Sequence, residues 1–398
     1  MAFVGEIPLG AQGKGYGVLH EIPDGPGIME RLTKDALQVS SKDTAAETID
    51  SAWCALKSGA PKPVGLSVPM NFWQADTGLD SPIVSEQIQS PAVDLEKVSE
   101  AAKLIAAAQS PMIVVGSGAM DSSEQVAFLS EVAGAPVVAF RNGQGVMSAD
   151  NPMQITMPVA HELWPAVDLV IGLGTRMQSQ LMAWGCDDDL SVIHITLDEN
   201  ELGRIVEPTV GLCADLADVL PELLTALEGN ESPNRNWKEK VRSIKEDTES
   251  RIAAKLQRQL AWLGAIRAEL PRDGILVDEI TQMGYVGRFG YPVYEPRTLI
   301  TPGYQATLGY GYATALGVAQ ARSDVPVVNF CGDGGALFTL NEIATGVLHK
   351  INLTTVIFAD GHYGNVRGLQ RDNYQARYIA NELANPDFAK YAESFGAA

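Results

Sequence analysis

Apolar residues recur along the chain in short runs, and segments of helical spacing separate these runs. The runs predict strands at residues 64–68, 112–115, 136–140, 167–173, 192–197, 274–277, 325–330 and 353–358. The segments between them predict helices at residues 45–57, 101–108, 124–133, 309–320 and 337–349. Uniformly apolar strands that alternate with helices are typical of parallel sheets covered on both faces. The sequence therefore predicts an α/β chain of consecutive Rossmann-like, doubly wound parallel-sheet domains.

Two polar stretches interrupt this alternation. Residues 74–93 are rich in Asp, Ser and Pro and predict a connector between domains. Residues 227–258 are densely charged and predict a second linker that runs into a solvated helix. We therefore expect three domains, at residues 1–75, 90–228 and 260–398.

Composition and charge narrow the class of protein. The 398 residues carry 49 acidic against 29 basic side chains, a net charge of −20, so nucleic acid is not an expected partner. The four cysteines lie far apart without a Cys-x-x-Cys pair, which indicates neither disulfides nor zinc and fits a reducing, cytoplasmic location. No signal peptide pattern is visible at the start. Residues 298–321 are uncharged but contain Pro and several Gly, so we interpret them as buried chain and expect no membrane partner.

The most informative chemistry follows the strand at residues 325–330, where the chain reads Gly332-Asp333-Gly334-Gly335. Ligands of open parallel sheets bind at the carboxyl ends of the strands. Glycine lets a phosphate approach the backbone, and a helix that begins there offers free N–H groups. Asp333 would repel a bare phosphate, so its presence indicates an intervening divalent cation, for which Mg²⁺ is the typical choice.

A second carboxylate stands at the end of the next predicted strand. Asp360, followed by Gly361, lies 27 positions after Asp333 in the sequence. A single Asp-Gly pair is usually a plain turn, but two such turns at one edge of a sheet favour a metal site.

This pattern resembles a known signature. Gly332-Asp333-Gly334, followed at this spacing by Asp360-Gly361 and by Tyr363-Gly364, is similar to the motif of thiamine-diphosphate enzymes of the acetolactate synthase and 2-oxoacid decarboxylase superfamily. Residues 302–311 resemble the family segment that precedes this motif. Residues 116–118 and 172–176 resemble its central domain, and residues 13–21 resemble the second half of its pyrimidine-binding domain. The resemblance spans essentially the whole chain.

The resemblance implies a set of site residues. Asp333, Asp360 and the backbone carbonyl of His362 would ligate Mg²⁺, although Asp360 stands where the family has Asn. The residues implied to bind thiamine diphosphate are Thr281, Thr307, Leu308, Gly332, Gly334, Gly335, Tyr363 and Gly364. Among these, Leu308 would prop the cofactor in its bent conformation. His20 stands where related enzymes often carry a Gln that faces the substrate, so it is the candidate catalytic residue.

The resemblance also implies the reaction and the assembly. The expected activity is that of a lyase or transferase, which decarboxylates a 2-oxoacid and transfers or protonates the resulting acyl anion. Because the family holds its cofactor between two chains, a homodimer or homotetramer is expected. A benzoylformate decarboxylase-like or 2-hydroxyacyl-CoA lyase-like member is an alternative within the family.

Other interpretations remain open at this point. The family's catalytic Glu belongs to a half domain that precedes the part matched here, and we expect the family's last strand and helices to be missing as well. A truncated, catalytically impaired copy that binds only the cofactor or a full-length relative is therefore a further alternative. FAD is not expected, because residues 156–159 lack the Gly-Met-His-Gly of flavin-holding members. Residues 116–118 favour a structural turn over a dinucleotide loop, because Asp121 replaces the third glycine.

Overall fold

The computed structural model describes residues 1–76, 90–229 and 235–397. Most of the predicted connector at residues 74–93 lies outside the described residues. The chain divides into two compact units, Met1–Ala92 with Cys213–Asp215, and Val93–Leu212 with Leu216–Ala398. The proposed division into three domains stays a prediction. No helix in the described part of the chain is both long and apolar enough to cross a membrane.

The first unit contains a three-stranded parallel sheet in the order β1-β3-β2. Its elements are β1 (Ala2–Glu6), α1 (Gly25–Leu32), β2 (Asp35–Gln38), α2 (Ala45–Lys57) and β3 (Val64–Pro69). The pattern predicted α2 and β3 but missed β1, α1 and β2. The two missed strands differ from β3 in burial. β3 is buried throughout, whereas β1 is largely exposed, β2 is mostly half-buried, and neither has a clear apolar run.

The second unit begins with a six-stranded sheet in the order β6-β5-β4-β7-β8-β9. Its strands are β4 (Pro111–Val115), β5 (Val137–Ala139), β6 (Gln154–Ile155), β7 (Leu169–Leu173), β8 (Ser191–Thr196) and β9 (Val210–Cys213). The helices around it are α3 (Leu95–Ala107), α4 (Ser123–Ala133), α5 (Met157–Leu163), α6 (Leu216–Ala226) and α7 (Arg235–Lys255). The paired strands β4 to β8 run parallel, and β4 and β7 are buried along their whole length.

The prediction of a solvated helix before residue 258 is wrong for one face of α7. Trp237 is 3% exposed and Val241 is 1% exposed, and both belong to the core beneath the six-stranded sheet. The many charged residues of α7 hid this narrow apolar stripe. The helix therefore packs on the central sheet instead of serving as a free linker.

The second unit ends with a four-stranded parallel sheet in the order β11-β10-β12-β13. Its strands are β10 (Ile275–Val277), β11 (Leu299–Ile300), β12 (Val327–Gly332) and β13 (Thr354–Phe358). The helices are α8 (Gln257–Glu269), α9 (Gln282–Gly290), α10 (Tyr310–Ala321), α11 (Asp333–Thr339), α12 (Ile343–Leu348), α13 (Gly364–Asn373) and α14 (Phe388–Ser394). These parallel-only sheets with flanking helices confirm the predicted α/β fold class.

One predicted helix differs in its bounds. The pattern predicted a single helix at residues 337–349, but α11 begins at Asp333, directly after β12, and α12 begins only at Ile343. A short 3₁₀ turn, Leu340–Glu342, separates the two helices. Glycines at positions 334 and 335 are poor helix formers, which concealed the true start from the sequence. The chain thus turns into a helix immediately at the strand end, where the candidate chemistry lies.

Candidate functional site

The carboxyl ends of β12 and β13 lie side by side, with Gly332 paired to Phe358. Asp333 follows β12 at once, and Asp360 lies two residues beyond β13. The Oδ2 atom of Asp333 accepts hydrogen bonds from the backbone N–H of Asp360 at 3.2 Å and of Gly361 at 2.7 Å. The structure therefore brings the two Asp turns together at one edge of the sheet.

Asp333 is buried and firmly oriented. The residue is 3% exposed. Oδ1 accepts the Gly334 N–H at 2.9 Å, and Oδ2 also accepts the Asn385 amide at 2.7 Å. A buried carboxylate with this many donors is held in one orientation.

Asp360 and His362 form a compact turn at the rim of the same edge. Asp360 is exposed, and its Oδ1 accepts the His362 N–H at 3.0 Å. The His362 ring Nδ1 lies 2.7 Å from the backbone oxygen of Asp360, so the ring is engaged within the turn. No cluster of three or more His, Cys, Asp or Glu side chains suited to a metal occurs among the described residues. A cation here would need backbone, ligand or water oxygens as well, which is typical of Mg²⁺.

A cavity of about 520 Å³ opens at this edge of the sheet, a size within the range of small-molecule sites. Ten of the predicted site residues line it, namely Thr281, Leu308, Gly332, Asp333, Gly334, Gly335, Asp360, His362, Tyr363 and Gly364. Thr307 is exposed beside Leu308 and is not among the lining residues. His20 lies in the first unit, in an exposed turn with a φ of 72°. Its substrate-facing role stays a prediction.

The two glycines of α11 have a packing reason as well as the proposed ligand-binding one. A Cβ atom on Gly334 would lie 2.7 Å from Cε1 of the Tyr363 ring. A Cβ atom on Gly335 would lie 2.6 Å from Cδ of Glu279. A larger residue at position 334 would displace Tyr363, which lines the cavity, and one at position 335 would displace the buried Glu279.

Thr281 caps the helix that faces the cavity. Its hydroxyl accepts the Met283 N–H at 2.9 Å and so closes the first turn of α9. Thr281 is therefore a helix cap in this structure, and its contact with a diphosphate stays a prediction.

Glu279 is a buried residue whose part in the site was not predicted from the sequence. It is 1% exposed, and its carboxylate accepts the Gly309 N–H immediately after Leu308. Burial raises the pKa of Glu279, while the backbone N–H groups of Gly309, Gly311 and Tyr310 lower it. This carboxylate therefore fixes the start of α10 and, through it, the backbone that presents Leu308 to the cavity.

Arg141 connects the central sheet to the segment that leads to Leu308. Its Nη1 donates to the backbone oxygens of Pro302 at 3.2 Å and of Gly303 at 2.9 Å. Its guanidinium lies 5.0 Å from the centre of the Tyr304 ring. The backbone is thus held on both sides of Leu308, by Arg141 at Pro302 and Gly303 and by Glu279 at Gly309.

Several other lining residues were also missed. They are Arg258, Gln259 and Trp262 of α8 with Ile280, Gln282, Met283, Tyr285, Phe358, Ala359, Asn365 and Val366. Trp262 packs edge-on against Phe358, with ring centres 6.0 Å apart. Helix α8 reaches the cavity through tertiary packing, and its sequence carries no ligand-binding motif that would have identified it.

The glycines at residues 116–118 make a close backbone crossing. The Gly118 N–H donates to the Gly174 oxygen at 3.1 Å, and a Cβ on Gly116 would lie 2.4 Å from that oxygen. The requirement for glycine is met by this packing, in agreement with the structural interpretation of the segment.

Two family models match most of the second unit. Residues 98–223 match the central domain of thiamine pyrophosphate enzymes, and residues 279–398 match their C-terminal TPP binding domain. Together the two matches cover more than half of the chain, and the second contains both Asp333 and Asp360. The chain belongs to the thiamine-diphosphate-dependent enzyme superfamily.

Individual relatives are similar over nearly the full length of the chain. A probable 2-ketoarginine decarboxylase of Pseudomonas aeruginosa is 27% identical over 97% of this chain and 70% of its own length. The acetolactate synthase isozyme 1 large subunit of Escherichia coli is 26% identical over 100% of this chain and 72% of its own length. A probable acetolactate synthase large subunit of Methanocaldococcus jannaschii is 26% identical over 100% and 71%, respectively.

Proposed function

We propose that the cavity at the β12 and β13 edge holds thiamine diphosphate through Mg²⁺. The observation that carries this proposal is the convergence of Asp333, Asp360, the α11 glycines and Leu308 on one cavity. The donor set fits the group, because hard carboxylate oxygens suit Mg²⁺ and the apolar Leu308 suits the organic part of the cofactor. Asp333 and Asp360 would hold the cation, and Leu308 would pack against the cofactor.

We further propose that the protein decarboxylates a 2-oxoacid. The acyl carbon that remains is then transferred to a second molecule or takes up a proton. Thiamine diphosphate, when bound, would supply a thiazolium ring that bonds to the carbonyl carbon of the 2-oxoacid and takes up the electrons left as the carboxyl group departs as CO₂. Among the chain's own residues, Asp333 and Asp360 would hold the cation, and Glu279 and Arg141 hold the backbone that presents Leu308. The names of the relatives, which include acetolactate synthases and a 2-ketoarginine decarboxylase, support this reaction class.

Calorimetry tests the cofactor proposal. Thiamine diphosphate is titrated into the full chain with Mg²⁺ or with EDTA, and the titration is repeated for Asp333→Asn and for the control Asp273→Asn, which changes an exposed carboxylate. We expect binding that requires Mg²⁺, that Asp333→Asn abolishes and that Asp273→Asn leaves intact. Binding that persists in EDTA, or no binding to the folded chain, would overturn the proposal.

The reaction is tested by CO₂ release. Pyruvate and the guanidino 2-oxoacid implied by the decarboxylase relative are supplied with thiamine diphosphate and Mg²⁺. We expect release that depends on both additions and on Asp333. Failure with a panel of 2-oxoacids, from a chain shown to bind the cofactor, would reject the reaction and leave the binding proposal in place. Assembly as a homodimer or homotetramer, a cytoplasmic location and the absence of FAD stay predictions.

A further inference from the structure

We propose that Asn385 is a positioning residue for the divalent cation, which it serves by holding Asp333 in its ligating orientation. This inference rests on the proposed cation site. Its observation is separate, because Asn385 lies outside the two Asp turns that led to that site and follows Asp333 by 52 residues.

The segment that carries Asn385 is fixed to the Asp360 turn by its backbone. The Tyr363 N–H donates to the Asn381 oxygen at 2.8 Å, and the Leu383 N–H donates to the Gly361 oxygen at 2.8 Å. Two residues further on, the Asn385 Nδ2 donates to Asp333 Oδ2 at 2.7 Å. The register of this segment therefore delivers the amide to the carboxylate.

The hydrogen bonds divide the two oxygens of Asp333 into different roles. Among the described residues, Oδ2 accepts three donors, from the backbone of Asp360 and Gly361 and from Asn385, whereas Oδ1 accepts only the Gly334 N–H. Oδ2 is therefore saturated, and the geometry points to Oδ1 as the oxygen that remains for a cation. Two donors to Oδ2 are backbone groups, so Asn385 is the one that substitution removes.

The other end of the same amide lacks a hydrogen-bond donor in the part of the chain that the structure describes. The Asn385 Oδ1 is buried and has no hydrogen-bond partner among the described residues. A buried carbonyl oxygen without a donor is unfavourable, and Mg²⁺ characteristically retains several waters that can donate. A water on the cation would satisfy this oxygen, so one amide would hold both the carboxylate and the hydration shell of the metal.

Groups that orient a metal ligand typically account for about 10- to 100-fold in metal affinity. We therefore expect Asn385→Leu, which keeps a branched side chain but removes the donor, to weaken Mn²⁺ binding to the full chain by about 10- to 100-fold. Mn²⁺ binding is followed by electron paramagnetic resonance with thiamine diphosphate present. Excess cation should restore the affinity for thiamine diphosphate, since the lesion is in cation binding.

The matched control is Asn381→Ala, which removes an amide hydrogen bond to Gln370 (2.7 Å) in the same segment. It should leave Mn²⁺ affinity unchanged even if it lowers the melting temperature. If Asn385→Leu does not fold, Asn385→Ala replaces it in the same assay.

The outcomes separate this inference from the proposed function. Equal Mn²⁺ affinity of wild type and Asn385→Leu would overturn the role of Asn385 alone. The role of Asn385 would also be overturned if Asn381→Ala lowered the Mn²⁺ affinity equally, or if excess cation failed to restore cofactor binding. In either case the substitution would have loosened the structure generally. Absence of cation binding by the folded wild type would overturn the proposed function together with this inference.

Discussion

Asp278 lies at the end of β10, is 1% exposed, and offers a test of the electrostatics beneath the site. Burial raises the pKa of Asp278 from 3.8 to about 7, although the Thr301 hydroxyl and the Arg288 and Arg141 guanidinium groups act in the opposite direction. Between these two pKa values, the carboxyl group keeps its proton in the folded chain but has lost it in the unfolded chain. Stability from this group is therefore present at low pH and is lost as the pH rises from about 4 to about 7.

The magnitude follows from the width of that window. It spans about three pH units, and each unit corresponds to about 1.4 kcal/mol, so the ionised carboxylate costs the folded state about 4 kcal/mol at pH 8. Asp278→Asn removes the titration and keeps the side-chain volume. The stability of this variant relative to wild type should thus improve by several kcal/mol between pH 4.5 and pH 8.

Urea denaturation of wild type and Asp278→Asn at a series of pH values measures this difference directly. Asp273→Asn is the control, because Asp273 is exposed near the start of the same strand. Its curve should run parallel to that of the wild type. Parallel curves for Asp278→Asn over the whole pH range would refute the account of a buried, proton-binding carboxyl.

Two further substitutions test the cavity wall. Gly335→Ala should weaken thiamine diphosphate binding in calorimetry and lower the melting temperature, since the new Cβ would lie 2.6 Å from Cδ of Glu279. The control is Gly317→Ala, whose new Cβ would meet no atom within 4 Å. It should stabilise the chain by about 0.5–1 kcal/mol. If both variants behave alike, packing at α11 is not the cause. Arg141→Ala removes two hydrogen bonds and the contact with Tyr304, so the free energy of unfolding should fall by about 2–4 kcal/mol. Urea denaturation measures this change, and an unchanged midpoint would contradict the role assigned to Arg141.

The sequence predicted that the Asp333 and Asp360 turns meet at one edge of the sheet, because the relevant information is local. Asp333 and Asp360 each directly follow a short apolar strand, and parallel strands place such ends on the same edge. The same reasoning predicted most strands of the second unit, of which β4, β7 and β10 are buried throughout. It failed for α7, whose buried Trp237 and Val241 are outnumbered by charged neighbours.

The supporting residues could not be found in this way, because their partners are distant in sequence. Glu279 reaches Gly309 across 30 positions, and Asn385 reaches Asp333 across 52. Both contacts depend on how helices and return segments pack on the sheet, and neither residue belongs to the family motif on which the prediction rested. Motifs identified the groups that would touch the ligand, whereas the structure was needed to find the groups that orient them.

The most direct test of the central claim is a crystal structure of the chain with thiamine diphosphate and Mg²⁺. We expect the cation at about 2.1 Å from Asp333 Oδ1 and from an Asp360 oxygen, with the diphosphate bridging it and Leu308 against the cofactor. Cofactor bound elsewhere, or a cation held in this cavity without Asp333, would contradict the account.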